Sequence, residues 1–356
     1  MPVKSYPDAN PPDPADKVPD ESVAAPFPEK LVARVEATRF DPDHPPPDEP
    51  WAFQLAGVEI AHSGNLITIA AAIKSGKSSV IAAMIASMMG GEDRDYLGLT
   101  GSNPDGKAVL HYDTEQSRGD HYHMMMRTLR RADLDAPPPW FASYSLTSLD
   151  PLERRSAIYA MARKVGADGG LHSLFIDGVA DLVYDVNDLA EACSLVAELH
   201  QLATDTGCVI ITALHHNPGG EKTRGHLGSQ IERKSESVLV LRKDGETISI
   251  SCKPARRQEV SDDKAPRFTW SQDAGMHVST QSKAASADER KCVELMELAD
   301  EVFGDRSELR WTDIQDGIKS ARGGAKSTIE KRIAEMKRLG VIRWAGGGLY
   351  AKGGRP

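Results

Sequence analysis

Apolar runs alternate with amphipathic stretches along the middle of this chain. Between residues 51 and 280, short runs rich in apolar and β-branched residues are typical of buried strands, and the longer stretches between them have the apolar spacing of helices. The predicted strands are 66–71, 108–113, 140–144, 173–177, 209–213, 237–241 and 247–251. The predicted helices are 77–89, 117–132, 151–165, 188–206 and 228–234. This alternation predicts an α/β fold with a mostly parallel central sheet that helices cover on both faces.

The junctions of this pattern predict where the chain turns and where it leaves the core. Asp244-Gly245, between the last two strands, suits the tight turn of an antiparallel hairpin. Residues 1–50 hold 13 of the 22 prolines, which cannot build helices or sheet ladders, so we expect a disordered or extended arm with one short helix over 31–38. Residues 281–288 are small and polar and predict a linker.

The last segment, 289–356, predicts a small separate domain. Its predicted helices are 289–302, 311–318 and 327–339. Ser327 and Glu330 form the capping-box pattern that predicts the start of the third helix. A two-stranded ribbon follows, turning at the glycines 346–348. Three helices and a ribbon predict a winged helix-turn-helix domain.

Composition excludes several classes of protein. Hydrophobic residues make up 40% of the 356 residues, enough for a sizeable core in about two domains. No apolar run reaches the roughly 20 residues that a membrane helix needs, and the Pro- and Asp-rich start is unlike a signal peptide. The four cysteines are scattered without C-x-x-C spacing, which argues against a zinc site or a disulfide framework. We therefore expect a cytoplasmic protein with no membrane partner.

Charge is distributed unevenly along the chain. The formal net charge is −9, yet from residue 317 to the end there are 10 Lys or Arg residues and 2 Asp or Glu residues, a balance of +8. A basic winged helix predicts DNA binding, with binding to a protein as the alternative. The residues assigned to DNA contact there are Lys326, Lys331, Arg332, Lys337 and Arg338.

Residues 71–79 carry the strongest chemical signal. They follow a predicted strand, precede a predicted helix, and match the phosphate-binding pattern G-x-x-x-x-G-K-[ST] except that Ala71 replaces the first Gly. Backbone N–H groups and the helix dipole favour phosphate at such a position. We expect Lys77 to reach the β- and γ-phosphates of ATP and Ser78 to hold Mg²⁺. The residues assigned to nucleotide binding are Lys74, Ser75, Gly76, Lys77, Ser78 and Ser79.

Two acidic residues complete the chemistry that a phosphate loop requires. Asp177 ends the apolar run 173–177, the Walker B pattern, and is expected to hold Mg²⁺ through water, with Asp181 as a weaker candidate. Hydrolysis needs a carboxylate that orients and deprotonates the attacking water, and we assign Glu115, after the second core strand, to this role. Asp113 competes with it. Helix or turn capping is the structural alternative for Asp177 and Glu115.

Two adjacent histidines, His215 and His216, follow the strand 209–213. A polar residue at the carboxyl end of a sheet strand can sense the γ-phosphate. Adjacent side chains in a strand point to opposite faces and no cysteine is near, so a metal site is not expected here.

Two basic loops complete the set. Lys222 and Arg224 belong to the Gly-rich loop 217–226, which would touch a nucleic-acid backbone in the central channel of a ring of subunits. A cation after the last core strand can reach a neighbouring subunit's nucleotide and act as an arginine finger. The candidates for this role are Lys253, Arg256 and Arg257. Ordinary solvated loops are the alternative in both places.

Several of these motifs come in an order that resembles a known superfamily. They are Lys74-Ser75-Gly76-Lys77-Ser78, Tyr112-Asp113-Thr114-Glu115, Phe175-Ile176-Asp177, His215-His216 and Arg224-Gly225-His226-Leu227-Gly228-Ser229. Over about residues 51–280 the chain resembles the RecA/DnaB superfamily, specifically the RepA-like hexameric helicase ATPases of plasmids and other mobile elements. The resemblance implies a RecA-like ATPase domain that assembles into a ring, with nucleotide bound between subunits.

The resemblance also implies roles for single residues. Glu115 falls at the family's catalytic glutamate, and His215 or His216 falls at its sensor position. Lys253 matches the lysine of a K-x-R finger motif, but Ala255 occupies the expected Arg position and Arg256 comes one residue later. Ala71 is the second departure, because the first Gly of the loop allows backbone conformations that Ala resists.

The whole pattern predicts an ATP-driven, ring-forming DNA motor that serves DNA replication of a mobile element. Its expected partners are ATP, Mg²⁺, further copies of the chain in a hexamer, single-stranded DNA in the ring channel and duplex DNA at the winged helix. One alternative is a DNA-dependent ATPase that does not unwind DNA, such as a recombinase-like filament, a loader or a regulator. Another is a nucleotide-gated DNA-binding protein without hydrolysis, for which Ala71 and the shifted Arg256 would be the signs.

Overall fold

The computed structural model describes residues 29–45, 49–217, 220, 223–254, 258–280 and 283–353, without the side chains of Pro254 and residues 283–290. The chain divides into two units, Met1–Asp48 and Glu49–Pro356. In the first unit, helix α1 (Glu29–Glu36) has exposed side chains and lies where a short helix is predicted, two residues earlier at each end. The predicted proline-rich arm up to residue 28 lies outside the described residues.

The second unit holds all the remaining elements. Its helices are α2 (Lys77–Met89), α3 (Arg118–Ala132), α4 (Pro151–Asp168), α5 (Leu189–Thr206), α6 (Gly225–Lys234), α7 (Lys283–Phe303), α8 (Trp311–Arg322) and α9 (Lys326–Arg338), with a short 3₁₀ helix at Val179–Leu182. Its strands are β1 (Trp51–Leu55), β2 (Val58–His62), β3 (Leu66–Ala71), β4 (Leu99–Gly101), β5 (Ala108–Asp113), β6 (Phe141–Ser145), β7 (Leu171–Asp177), β8 (Val209–His215), β9 (Ser237–Asp244), β10 (Thr247–Pro254), β11 (Arg267–Ser271), β12 (Met276–Thr280), β13 (Glu308–Arg310), β14 (Ile342–Gly346) and β15 (Leu349–Lys352).

Nine strands form the central sheet, in the order β12-β11-β10-β9-β3-β8-β7-β5-β6. The five neighbouring pairs from β9 to β6 are parallel and the three from β12 to β9 are antiparallel. The predicted hairpin between β9 and β10 is present, with Gly245 at φ +60° in its turn. The predicted α/β fold with a mostly parallel central sheet is confirmed.

Helices cover both faces of the parallel half, because alternate residues of each strand are apolar on opposite sides. Leu66 of β3 belongs to one core cluster with Leu195 and Leu199 of α5, whereas Ile67 belongs to another with Val80 and Met84 of α2. All six residues of β3 are buried. The strand that leads into the phosphate-loop motif is therefore held from both sides.

Three strands form a second sheet that the sequence pattern does not predict, in the order β2-β1-β4. Ala56 at φ +50° and Gly57 at φ +77° make the tight turn between β1 and β2. Ala is rare at positive φ, so Ala56-Gly57 lacks the Asn-Gly or Asp-Gly signature that would mark this hairpin. Strands β11 and β12 were also not predicted, because most of their residues are only half-buried.

The C-terminal residues form three helices around their own core, with a three-stranded sheet in the order β13-β15-β14. The short strand β13 was not predicted. Helix α9 begins at Lys326 with Ala325 as its N-cap and no side-chain cap bond, so the capping box at Ser327 and Glu330 was wrong. The winged-helix assignment stays a prediction.

The division into domains also stays a prediction. Helix α7 begins at Lys283, so most of the segment 281–288 is helical, and residues 281–282 lie outside the described part of the chain. In the ranges that the structure describes, no helix is both long and apolar enough to cross a bilayer.

Candidate active site

The phosphate-loop motif lies between β3 and α2. Gly76 is the N-cap of α2 at φ +81°, and Lys77 is the first helical residue. A Cβ at Gly76 would lie 3.0 Å from Ile248 Cδ1 and 3.2 Å from Phe268 Cε2, so apolar side chains from β10 and β11 pack directly under the loop. Lys74 is exposed and Ser75 is buried. The loop thus presents the N-terminus of a 13-residue helix, where N–H groups and the dipole attract phosphate.

Ala71, which replaces the first Gly of the motif, is the last residue of β3. It pairs with His215 and Leu241 in the sheet, and its side chain is fully buried in the core cluster that contains Ile69 and Val80. Its φ is not positive, unlike that of Lys74 or Gly76. Because an extended backbone suits Ala, this replacement introduces no backbone strain into the loop.

Lys77, His215 and Glu115 form one hydrogen-bonded group. Lys77 Nζ lies 2.9 Å from Nδ1 and 3.2 Å from Nε2 of His215, and His215 Nε2 lies 3.5 Å from Glu115 Oε1. A neutral ring with its hydrogen on Nε2 satisfies both neighbours, since Nδ1 accepts from Lys77 and Nε2 donates toward Glu115. Burial lowers the pKa of Lys77, opposed by the carboxylates of Glu115 and Asp177. The His215 hydrogen bond is the main cause that lowers the pKa of Glu115.

Ser78 and Asp177 form the second pair of the site. Ser78 Oγ donates to Asp177 Oδ2 at 2.7 Å, and Asp177 is 2% exposed. Its other oxygen, Oδ1, is buried and has no hydrogen-bond partner among the described residues. Burial raises the pKa of Asp177 to about 6, partly offset by the bond from Ser78.

This pair fits a divalent cation. A hydroxyl and a carboxylate are the oxygen donors that Mg²⁺ prefers, and a buried carboxylate oxygen without a partner is the kind of atom that a metal-bound water would satisfy. Elsewhere in the described ranges, no group of three or more His, Cys, Asp or Glu side chains could hold a metal ion. Asp177 and Ser78 are therefore the residues that would hold Mg²⁺.

Asp113, the competitor of Glu115, has a structural task instead. It is fully buried and accepts hydrogen bonds from the backbone N–H of Glu115 at 3.1 Å and of Gln116 at 2.9 Å. The Gln116 side-chain amide donates to its other oxygen at 2.7 Å. Asp113 thus caps the turn that presents Glu115, and Glu115 is the acid whose side chain meets His215.

The neighbouring His216 faces away from this group. It is buried, its backbone N–H donates to Ala71 O at 2.8 Å, and it forms a bridge with Thr223. Arg224, on the same loop, is exposed, and its N–H donates to His215 O at 3.0 Å. Of the two predicted sensor residues, only His215 meets Lys77. Lys222 lies outside the described residues.

Lys253 does not reach the site of its own chain. Ala71 pairs with Leu241, and Leu241 pairs with Ile250 of β10. Lys253 is three residues further along β10 and pairs with Val238, toward the sheet edge opposite the phosphate loop. At about 3.3 Å per residue, this separates it from the loop edge by about 10 Å. Arg256 and Arg257 lie outside the described residues.

Comparison with known proteins identifies the family of this core. The family model of the AAA domain, AAA_25, matches residues 31–221, more than half of the chain. The chain belongs to this AAA domain family. The predicted P-loop ATPase core is thereby confirmed at the level of the family. No curated protein sequence matches the chain.

Two solved structures resemble the AAA-domain protein at low identity. A KaiC-like protein from the hyperthermophilic archaeon Pyrococcus horikoshii OT3 is 13% identical, with 62% of this chain and 91% of that chain covered and a TM-score of 0.40. The second, an ATPase domain solved on its own, is also 13% identical, with 62% of this chain and 86% of that chain covered and a TM-score of 0.44.

The AAA domain contains a contact beside the loop that the sequence did not reveal. Ser79 Oγ and His277 Nδ1 of β12 lie 2.9 Å apart, and His277 packs edge-on against Phe268 and Trp270. Arg131 of α3 donates to His277 O and is itself buried. Ser79, predicted to bind nucleotide, thus also ties the first turn of α2 to the last strand of the sheet. The sequence carried no signal for it, since the two residues are far apart and β12 was not predicted.

The basic residues predicted to contact DNA on α9 differ in their surroundings. Lys337 Nζ lies 4.2 Å from the centroid of the Trp311 ring and 4.4 Å from that of Tyr350, and donates to the Tyr350 hydroxyl at 2.9 Å. Arg332 donates to Gly323 O, and Arg338 pairs with Glu335. Lys326 and Lys331 are exposed and make no hydrogen bond or ion pair with any described residue. Those two are the cations best placed to meet an external anion.

Proposed function

We propose that this AAA-domain protein is an ATP-hydrolysing, ring-forming motor that binds DNA, similar to RepA-type replicative helicases of mobile elements. One observation carries the proposal: the hydrogen-bonded group Lys77–His215–Glu115 stands beside the pair Ser78–Asp177 at the N-terminus of α2. A phosphate-binding lysine, two oxygen donors for a metal and a carboxylate for water are the parts that hydrolysis of a nucleoside triphosphate needs.

Each residue of this group has a task in the proposed reaction. Lys77 binds the β- and γ-phosphates of ATP, and N–H groups of the loop 74–79 bind the remaining phosphate oxygens. Glu115 orients the attacking water and accepts its proton, for which the carboxylate must be ionised, and the His215 hydrogen bond favours that ionised form. Ser78 and Asp177 hold Mg²⁺, which when bound neutralises charge that develops on the phosphate oxygens.

Release of Lys77 from His215 is the step that reports nucleotide. The γ-phosphate competes with His215 for the Lys77 ammonium, because a phosphate oxygen is the stronger acceptor. The freed imidazole then contacts the phosphate, and its backbone carbonyl is already bonded to the N–H of Arg224. Arg224 and Lys222 would contact the backbone of single-stranded DNA in the ring channel.

Ring formation supports the proposed use of Lys253. Since Lys253 lies toward the sheet edge away from its own phosphate loop, it can assist catalysis only at a neighbour's nucleotide. Arg256 and Arg257 are the further finger candidates. The C-terminal unit, with the exposed Lys326 and Lys331, would contact duplex DNA as a winged helix.

Steady-state ATP turnover with and without single-stranded DNA tests the proposal, together with strand displacement on a forked duplex. We expect DNA to stimulate turnover, and Lys77→Ala and Glu115→Gln to abolish both activities. Retained activity in both variants would overturn it. Turnover without strand displacement would favour the second candidate function, a DNA-dependent ATPase that does not unwind, which the Ala255 departure in the finger motif supports.

Mixing two inactive variants tests action between subunits. Glu115→Gln and Lys253→Ala are each expected to be nearly inactive alone. If Lys253 acts at a neighbour's site, a Glu115→Gln subunit supplies Lys253 to a Lys253→Ala subunit that retains Glu115, and the mixture recovers activity. A mixture as inactive as its parents would contradict action in trans, and electron microscopy with an ATP analogue would distinguish rings from filaments.

A further inference from the structure

Thr114, directly before Glu115, is held by an unusual number of acceptors. It is 3% exposed, and its Oγ1 lies 3.0 Å from Asp177 O, 2.9 Å from Gly178 O and 2.9 Å from Asp181 Oδ2. Its backbone N–H donates to Asp177 O at 3.1 Å. All these acceptors belong to the segment 177–181, which follows β7. The backbone of Glu115 is therefore bound to the residues directly after Asp177.

The single hydroxyl hydrogen serves one acceptor at a time. A carboxylate oxygen is a stronger acceptor than a carbonyl, so Asp181 Oδ2 is the favoured partner. The two carbonyls lie at the same distance and receive the hydrogen if the side chain rotates slightly. An aliphatic side chain at this position would leave a carboxylate oxygen facing carbon atoms without its hydrogen bond.

Gly178 allows this close approach. Its φ is +104°, and a Cβ there would overlap Thr114 Oγ1 and lie 2.8 Å from Glu115 Cγ. Any side chain at residue 178 would therefore push Thr114 and the stem of Glu115 away from the segment. The glycine thus brings the two residues into contact with it.

Arg154 holds the acceptor side in place. Its Nη1 donates to Asp181 O at 3.2 Å and lies 3.9 Å from Asp181 Oδ2, while its Nε donates to Leu146 O at 3.1 Å. Arg154 belongs to α4 and Leu146 to the connection after β6. Asp181 is therefore not a mobile surface carboxylate but an anchored one.

We propose that Thr114 is a positioning residue that sets the place of the Glu115 carboxylate relative to Asp177 and Lys77. The proposal rests on the proposed function, since it needs Glu115 to act on the attacking water. Thr114 touches none of the reacting atoms and acts through Glu115. Because a shift of about 1 Å in a catalytic group lowers the rate by about a hundredfold, loss of the hydroxyl should lower kcat.

Three variants of similar shape test it. Thr114→Val removes the hydroxyl and keeps the volume, and Thr114→Ser keeps the hydroxyl. Thr128→Val is the control, because Thr128 is equally buried and its Oγ1 donates to Met124 O at 3.0 Å within α3. We expect Thr114→Val to lower kcat for ATP about thirtyfold with KM and nucleotide Kd within about twofold of wild type. Thr114→Ser should restore at least a third of the wild-type kcat, and Thr128→Val should change stability alone.

Double variants separate this proposal from the assignment of Glu115. If Thr114 acts through Glu115, adding Thr114→Val to Glu115→Gln causes no further loss of turnover. Wild-type kcat in Thr114→Val, or equal losses in Thr114→Val and Thr128→Val, overturns the positioning role while Glu115→Gln still reports on the proposed function. If Thr114→Val does not fold, Asp181→Ala should lower kcat and Asp181→Asn, which retains an acceptor oxygen, should lower it less. Equal activity of those two variants would also overturn it.

Discussion

The ammonium of Lys77 and the imidazole of His215 form a 2.9 Å hydrogen bond that joins the first turn of α2 to the end of β8. The same histidine faces Glu115 through its side chain and Arg224 through its backbone carbonyl. His215 thus stands between the groups proposed to hydrolyse ATP and the loop proposed to touch DNA.

Replacing His215 tests whether it couples these two regions. We expect His215→Ala to lower kcat about tenfold and to bring the ratio of DNA-stimulated to basal turnover close to one, because the loop then loses its side-chain link to Lys77 and Glu115. His123→Ala, an exposed change on α3, is the control and should behave as wild type. Full DNA stimulation in His215→Ala would mean that the signal takes another route.

Asp177→Asn should make the nucleotide-free, metal-free protein more stable at neutral pH. Burial raises the pKa of Asp177 to about 6 from 3.8, so the folded state holds its proton more tightly than the unfolded state. The ionised form therefore lowers the free energy of unfolding above pH 6, by on the order of 3 kcal/mol, and this penalty disappears as the pH falls through 6 toward 4. Urea unfolding in EDTA at pH 7.5 and 5.0 measures it.

The stabilising effect of Asp177→Asn should shrink at the lower pH. Adding Mg²⁺ at pH 7.5 should then raise the stability of the wild type more than that of the variant, since ligand binding stabilises only a fold that retains its ligands. An equal gain from Asp177→Asn at both pH values would show that the ionised carboxylate is not what destabilises this site. ATP turnover is expected to be lost in the variant.

Gly178→Ala and Gly207→Ala separate backbone strain from steric overlap. Both glycines have positive φ, +104° and +66°, but a Cβ at Gly207 would meet no atom within 4 Å, whereas at Gly178 it would overlap Thr114 Oγ1. We expect Gly207→Ala to lower the free energy of unfolding by about 1 kcal/mol through strain alone. Gly178→Ala should lower it by about 3 kcal/mol and also reduce kcat. Equal values in thermal unfolding would contradict the overlap.

Lys331→Ala and Lys337→Ala should differ although both lie on α9. Lys331 is exposed, so its loss should weaken DNA binding and reduce the salt dependence of log K by about 1. Lys337 is sandwiched by Trp311 and Tyr350, so its loss should lower the stability of the C-terminal unit by about 1–2 kcal/mol. Salt titrations of DNA binding and thermal unfolding distinguish them, and a salt-dependence change in Lys337→Ala equal to that in Lys331→Ala would refute the difference.

The parallel half of the fold was predictable because its signals are local. Strand β3 is a continuous apolar run and α2 begins at the predicted residue, Lys77. Each acidic or basic residue at the end of a parallel strand falls at the same sheet edge, so Lys77, Asp177, Glu115 and His215 could be expected to meet. What could not be predicted was who bonds whom, since these partners are up to 138 residues apart.

The unpredicted features depend on contacts rather than patterns. The turn at Ala56 has no hairpin signature, and β12 is a half-buried edge strand. Asp113 and Glu115 look equivalent in the sequence, and only the backbone bonds from residues 115 and 116 show that Asp113 caps the turn. Lys337 likewise looks like any basic residue of a helix until the rings of Trp311 and Tyr350 surround it.

The packing under Gly76 links nucleotide affinity to a distant part of the sheet. The hydrocarbon ends of Ile248 and Phe268 form the floor of a loop whose upper side is meant for a polyanion. Enlarging either floor residue would tilt the N–H groups above it without touching any ligand. The antiparallel strands β10 and β11 thus offer a means to tune ATP binding from inside the core, and a screen for altered nucleotide affinity should recover changes there as well as in the loop itself.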